Sequence, residues 1–390
     1  MPLRRLFTPR GWSLLAMAAA FTIAAVVLSA PMLGHVALLC LLLIAGGLIA
    51  TVVTPVRGEV SRTISTDLLT VGEVSEVHVH LRPRGRLARF ARWRDTLPDA
   101  IAGEAIGSVS PREGGLDLRP SIPLTYAVHG MRRGEWTLGP LILRTNDPFG
   151  LVNRDHTVGG TRQVTVVPRL LPVPDLGVLH GAAGGTAHTV SSRLGQGADN
   201  LSPRRYVPGD SMRRVHWRAT AHRGDLMVRQ EEEEDSPDAL VVLDLHPARW
   251  SPPGGAADPL FERAVGVCAA TALHLASAGY TVSVTDDSGT PLGLLHGNEE
   301  DRDELLVALA RTNPRGGPTG ERTPARLDLS PQGPFVIVTG RIESAARQLP
   351  RRPSAVTAVL LAADPQPGVL EALRARGWNA ERIDEGGTDA

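Results

Sequence analysis

No lysine occurs anywhere in the 390 residues, so all 41 basic side chains are arginine. Arg has GC-rich codons, and this usage is what a GC-rich genome gives. It also rules out a phosphate loop closed by Gly-Lys-Ser/Thr. Cysteine is scarce: Cys40 falls in an apolar stretch and Cys268 in a predicted helix. Two thiols in such different settings form neither a disulfide framework nor a zinc site, and they suit a reducing compartment. Aromatic residues make up 4% of the chain, which leaves the core to Val, Leu, Ile and Ala. Net charge is absent as well, with 41 acidic groups offsetting the basic ones. No global positive field points to nucleic acid, and no acidic excess points to a disordered solvating chain. The length suits two or three domains.

The longest absence is local. From Gly11 to Val56 there is no Asp, Glu or Arg, a stretch far longer than the roughly 20 apolar residues one bilayer crossing needs. Pro31 lacks an amide donor and disfavours helix in the residue before it, so Ser29-Ala30-Pro31 reads as a turn. Residues 1–57 are therefore expected to hold two transmembrane helices, about 12–30 and 32–53, whose backbone groups pair internally. Arg4, Arg5 and Arg10 precede the first and Arg57 and Arg62 follow the second, while the loop between has no Arg. The positive-inside rule then puts both termini in the cytoplasm, in a multi-pass protein of the inner (plasma) membrane with lipid as a partner. Arg4-Arg5-Leu6-Phe7 faintly matches a twin-arginine export signal. Such a signal has one short apolar core, whereas here a second full-length apolar segment follows.

Residues 58–170 read as strands. Glu73–Leu81 alternates apolar and polar side chains, and Leu118–Val128, Glu135–Leu143 and Arg162–Val167 are further short runs bounded by turn residues, the pattern of a β-sandwich-like domain. Residues 171–200 are a Gly-rich connector. From Ala239 the pattern changes to alternating strands and helices: Ala239–Leu245, Asp258–Ala278, Tyr280–Thr285, Asp301–Ala310, Phe335–Thr339, Ala355–Ala362 and Val369–Ala375. Residues 239–385 are thus expected to be an α/β domain with a mostly parallel, Rossmann-like sheet, functional at the carboxyl ends of its strands.

Between these domains, residues 201–238 are dense in Arg, aromatic and acidic side chains. Their order is Arg205, Tyr206, Gly209, Asp210, Arg213, Arg214, Trp217, Ala221, Arg223 and Leu226, followed by Glu231–Glu234. This order resembles the hallmark of the bacterial domain of unknown function 58 family. Arg132-Arg133-Gly134-Glu135-Trp136 and Asp147-Pro148-Phe149-Gly150-Leu151 resemble that family's upstream elements, and the helix hairpin matches it too. The resemblance implies that the α/β domain is von Willebrand factor A-like. It also implies work beside a MoxR-type AAA+ ATPase and a transglutaminase-like membrane protein, without supplying a reaction.

Physically, Pro208-Gly209-Asp210 reads as a tight turn, and Asp210 suits a bidentate brace to Arg213, Arg214 or Arg223, with Trp217 as a flat face for packing or for an Arg cation. The structural reading, a braced domain junction, outweighs a ligand site. A metal-ion-dependent adhesion site needs Asp-x-Ser-x-Ser. Asp244-Leu245-His246-Pro247-Ala248 keeps only the Asp, and Phe335–Gly340 has no Asp at its end. Metal and cofactor are therefore expected to be none. His216, His222 and Asp210 lack a nucleophile motif beside them, so no catalytic residue is expected. The expected role is a membrane-anchored cytoplasmic adaptor for a MoxR-type ATPase in assembly or maturation of envelope proteins. The alternative is a divalent-metal enzyme or receptor using Asp244 or the Asp210 cluster.

Overall fold

The computed structural model describes residues 6–53, 56–66, 68–84, 91–109, 121–173, 201–207, 215, 217–231, 237–250, 258–314, 333–342 and 357–383. Two apolar helices come first, α1 (Pro9–Val27) and α2 (Pro31–Val53), both long and apolar enough to cross a membrane. α1 starts earlier than hydropathy suggests because Thr8 caps it, its hydroxyl accepting from Gly11 N at 3.0 Å, with Pro9 in the first helical position. It also ends earlier, and Ser29 takes a positive φ of 49° in the turn before Pro31.

A β-rich body follows: β1 (Arg57–Ile64), β2 (Leu69–Thr70), β3 (Val74–Arg84), β4 (Ala91–Asp95), β5 (Ile101–Gly103), β6 (Ile106–Val109), β7 (Ile122–Gly130), β8 (Gly134–Leu138), β9 (Leu141–Asn146), β10 (Asn153–Val158) and β11 (Arg162–Val167). Two antiparallel sheets, β1-β3-β7-β5 and β10-β9-β4-β6, and a small third, β2-β11-β8, feed one shared core in a sandwich-like arrangement. β7 and β9 bury alternate residues, as a half-buried strand must. The single strand expected over Glu135–Leu143 is instead two, because Gly139 turns with a φ of +89° and Pro140 has no amide to donate.

One flanking arginine belongs to this core. The Arg62 guanidinium, almost fully buried, forms a bidentate pair with Asp95 at 2.8 Å on each side and donates to Gly160 O at 2.7 Å. Tyr126 donates to the same Asp95 at 2.8 Å; burial first, then that carboxylate, push its phenol pKa up. Among the described residues the flanks are therefore Arg10 and Arg57, with Arg62 spent on folding.

The chain divides into two compact units. The first is Met1–Leu171 with Pro253–Ala269 and Asp303–Pro314; the second is Pro172–Pro252 with Ala270–Arg302 and Arg315–Ala390. The second contains an antiparallel pair, β12 (Leu201–Arg205) and β13 (Met227–Glu231), with a short helix α3 (Trp217–Arg223) between them in sequence. Its main sheet has six strands. In chain order the elements from there on are β14 (Asp238–Leu243), α4 (Pro259–Ser277), β15 (Thr281–Asp286), β16 (Pro291–Leu295), α5 (Glu299–Arg311), β17 (Phe335–Ile342), β18 (Ala358–Pro365), α6 (Val369–Ala375) and β19 (Asn379–Arg382), of which Pro259–Ala269 of α4 and Asp303–Arg311 of α5 fall in the first unit. The sheet order is β16-β15-β14-β17-β18-β19, parallel except for edge strand β16. β14 is buried on both faces, as its continuous apolar run requires.

Candidate functional site

The Asp147-Pro148-Phe149-Gly150-Leu151 element is a clasp within the first unit. Asp147 is buried, and its Oδ1 accepts from the amides of Leu151 and Val152, each at 2.6 Å, while Oδ2 accepts from Phe149 N at 3.1 Å. Three short bonds to one carboxylate fold the loop into a tight turn, with Gly150 at a φ of +68°. The turn then fits onto the helix pair. A Cβ on Gly47 of α2 would fall 2.9 Å from Asp147 Oδ2, and one on Gly11 of α1 would fall 2.2 Å from Leu151 O. Only glycine lets the turn approach so closely. The Thr8 hydroxyl that caps α1 also donates to Gly150 O at 2.7 Å, and Thr8 N donates to Leu151 O at 3.0 Å. At the end of α2, Arg154 Nη1 donates to Thr51 O at 2.7 Å, satisfying a carbonyl the helix leaves open. Ile44, Leu151 and Val152 form the apolar centre of this seat. The start of α1 and the end of α2 are thus bolted to β10 and to the turn between β9 and β10.

Arg132 and Arg133 divide their labour. Arg132 stacks over Trp136 at 5.4 Å, and Trp136 Nε1 donates back to Arg132 O at 3.0 Å across Gly134, whose φ is +135°. Arg133 is buried in the first unit. It donates to Leu309 O at 3.2 Å and Thr312 O at 2.6 Å, pairs with Glu262, and lies 4.9 Å from the Phe261 ring centroid. It is a cationic cap on the C-terminus of α5, where the macrodipole favours positive charge. Nearby, Arg311 pairs with Glu135 at 2.6 Å.

In the second unit, Asp244 sits just beyond β14 with both carboxylate oxygens engaged. Oδ1 accepts from His246 N at 2.9 Å; Oδ2 accepts from the buried Thr339 hydroxyl at 2.7 Å, and Arg249 Nε lies 3.6 Å from Oδ2. Trp250 Nε1 donates to Asp244 O at 3.1 Å, and Leu245 N donates to Asp287 Oδ1 at 3.1 Å. Burial first, then the charges of Asp244 and Asp286, push the Asp287 pKa up. Asp286 Oδ1 closes the β15–β16 hairpin by accepting from Ser288 N, Ser288 Oγ and Thr290 N. A divalent cation wants several hard oxygens free to turn toward it. Here one carboxylate is consumed by internal donors and faces a guanidinium, so the residues do not fit a metal. Among the described residues no group of three His, Cys, Asp or Glu is placed to hold one.

The signature segment is only partly within the described residues: Gly209, Asp210, Arg213 and Arg214 lie outside them. Tyr206 N donates to Leu226 O, and Met227 N donates to the Thr220 hydroxyl at 3.0 Å, tying α3 to β13. Arg205 pairs with Asp225 at 2.9 Å, exposed on both sides. Trp217 is 67% exposed, and Arg223 is exposed too. Residues 202–330 match the model of the family described as protein of unknown function DUF58. Arg205, Tyr206, Trp217, Arg223 and Asp244 lie inside the DUF58 match, while Arg133, Asp147 and Thr339 lie outside it. No curated relative matches the chain. Solved structures similar to it include the CARDB domain of the PF1109 protein from Pyrococcus furiosus, in complex with di-metal ions. That likeness has 16% identity over 28% of this chain and 89% of that one, with a TM-score of 0.19. A conjugative transposon lipoprotein from Bacteroides eggerthii is 13% identical over 26% of this chain and 96% of its own, with a TM-score of 0.15. Likenesses this slight carry no argument about function.

Sequence reasoning did not single out Thr8, Arg154, Gly47, Thr339 or Glu262. Each acts on a partner far along the chain, and only the helix-start pair Thr8-Pro9 carries a local signal.

Proposed function

We propose that the chain is a membrane-anchored cytoplasmic adaptor, with α1 and α2 spanning the membrane and the folded mass held at the inner face. In this reading it has no catalysis of its own. The clasp carries the proposal. A floppy tether needs no buried carboxylate, close-approach glycines and arginine helix cap at the foot of two apolar helices; a body that must present a surface at a fixed height and orientation does. The partner is an AAA+ ATPase of the MoxR type, alongside a transglutaminase-like membrane protein, and the main sheet is a von Willebrand factor A-like domain whose metal position has been given over to internal bonds. Trp217 supports the docking role, because a Trp left two-thirds exposed is the type of residue that anchors protein interfaces.

The test is capture of a MoxR-type ATPase by the full chain in nanodiscs, with and without ATP, comparing wild type, Trp217→Ala and Asp210→Ala. Nucleotide-dependent capture that Trp217→Ala weakens supports the adaptor. Absence of capture by wild type under both conditions removes the ATPase from the proposal.

A further inference from the structure

We infer that the tip of the clasp, Phe149, is a lipid contact that sits at the acyl-chain boundary of the cytoplasmic leaflet. The inference rests on the reading of α1 and α2 as a membrane hairpin and adds a third element to what touches the bilayer.

Depth is the first argument. Asp147 Oδ2 packs at Gly47 and accepts from Phe149 N at 3.1 Å, so the loop is level with Gly47. At the helical rise per residue, Gly47 lies about 24 Å along α2 from Pro31 and about 9 Å short of Val53. α1 gives the same level independently: Gly11, which faces Leu151 O, lies about 24 Å from Val27. A hydrocarbon core is about 30 Å thick. A hairpin whose turn reaches the far interface therefore holds the loop at the near edge of the hydrocarbon, not above the headgroups.

Chemistry is the second argument. Phe149 is 57% exposed, beside an exposed Pro148, although Asp147 and Leu151 of the same motif are buried. An exposed Phe at the apex of a tightly braced turn stays out of the protein's own core because the turn holds it out. At the same level, Trp12 is 43% exposed and packs edge-on to Phe7 at 5.6 Å, and Arg10 is exposed beside Gly150, its Nη1 3.9 Å from a Cβ placed there. Aromatic rings with an arginine at the helix ends are the composition of a membrane interface, where rings meet acyl chains and the guanidinium reaches phosphate. Near the end of α2, Ile49 and Val52 are exposed apolar residues as well.

The experiment uses the full chain in nanodiscs of zwitterionic and anionic phospholipid, in a Cys40→Ala, Cys268→Ala background. An environment-sensitive dye is placed in turn through Phe149→Cys, Leu39→Cys in the middle of α2, and Ile106→Cys on β6. Quenchers are aqueous iodide and phospholipids spin-labelled either high or low on the acyl chain. The inference expects the dye at position 149 to lose most of its emission to the high-chain quencher and to be shielded from iodide, with Leu39→Cys quenched by the low-chain label and Ile106→Cys by iodide. If the dye at 149 behaves like the one at 106 while Leu39→Cys is quenched from the chain, the lipid contact is wrong and the hairpin stands. If neither 149 nor 39 is quenched from lipid, the hairpin reading is wrong and the inference falls with it.

Discussion

Replacing Asp147 by Ala is the sharpest perturbation of the clasp. It leaves three amides, those of Phe149, Leu151 and Val152, without their acceptor, and two of them are buried. A buried unsatisfied donor costs about 1–3 kcal/mol. Water reaching the exposed Phe149 amide removes part of the loss, so the local opening free energy should fall by about 3 kcal/mol. At about 1.4 kcal/mol per tenfold, that is roughly a hundredfold faster amide exchange at Leu151 and Val152. Asp147→Asn retains one oxygen that can serve both amides and loses the one on Phe149 N, so its acceleration should stay near tenfold, about 1.4 kcal/mol. Hydrogen exchange read by mass spectrometry on the nanodisc-embedded chain separates these cases, with peptides from β3 as an internal standard. Exchange over 147–153 equal in wild type and Asp147→Ala would refute the clasp.

Further perturbations follow from the other clusters. Arg62→Met strands buried Asp95 and should cost about 3–5 kcal/mol in denaturant unfolding, whereas Arg62→Met with Asp95→Leu should recover most of it, because the pair's desolvation vanishes with it. Arg133→Ala removes two carbonyl partners, a buried ion pair and a ring contact, and should lower the first unit's stability by about 3 kcal/mol; Arg133→Lys should rescue little, since an ammonium cannot fork to Leu309 O and Thr312 O. His156 has its pKa lowered, by burial and then by the Arg154 charge. The unfolded chain therefore takes up a proton first as pH falls, so stability should decline below about pH 6.5 toward the folded-state value, and His156→Gln should flatten that slope. Calorimetric titration with Mg²⁺ should show no tight binding that Asp244→Ala abolishes; tight Asp244-dependent binding would revive a metal-centred function.

Much of this fold is local enough to read from sequence. Nineteen and 23 residues of apolar helix announce themselves by hydropathy, and strict alternation marks β3 and β7. Edge strands β16 and β19 were not legible, since Pro291–Leu295 and Asn379–Arg382 are short and carry Gly, Asn or charge that weakens any pattern. The motifs around Arg133 and Asp147 stood out, but their purposes did not. Nothing in the sequence says which of two adjacent arginines stacks on Trp136 and which caps a helix more than 170 residues away, as the bonds to Leu309 and Thr312 show. Likewise the target of Asp147 is the missing side chain of Gly47, a partner visible only once the two lie together. Asp244 illustrates the reverse. The absent serines are plain in the sequence, but Thr339 and Arg249 reach the carboxylate from positions that only the fold brings near it.

The rigid mount is tested most directly by a distance. Paired spin labels at Leu28→Cys in the hairpin turn and Ile106→Cys on the β body, in the background lacking Cys40 and Cys268, report the separation of hairpin and body in nanodiscs by pulsed electron paramagnetic resonance. A clasped body gives one narrow distance distribution in wild type that broadens in Asp147→Ala. A broad distribution in wild type, unchanged by Asp147→Ala, contradicts the mount and leaves the two helices a mere tether.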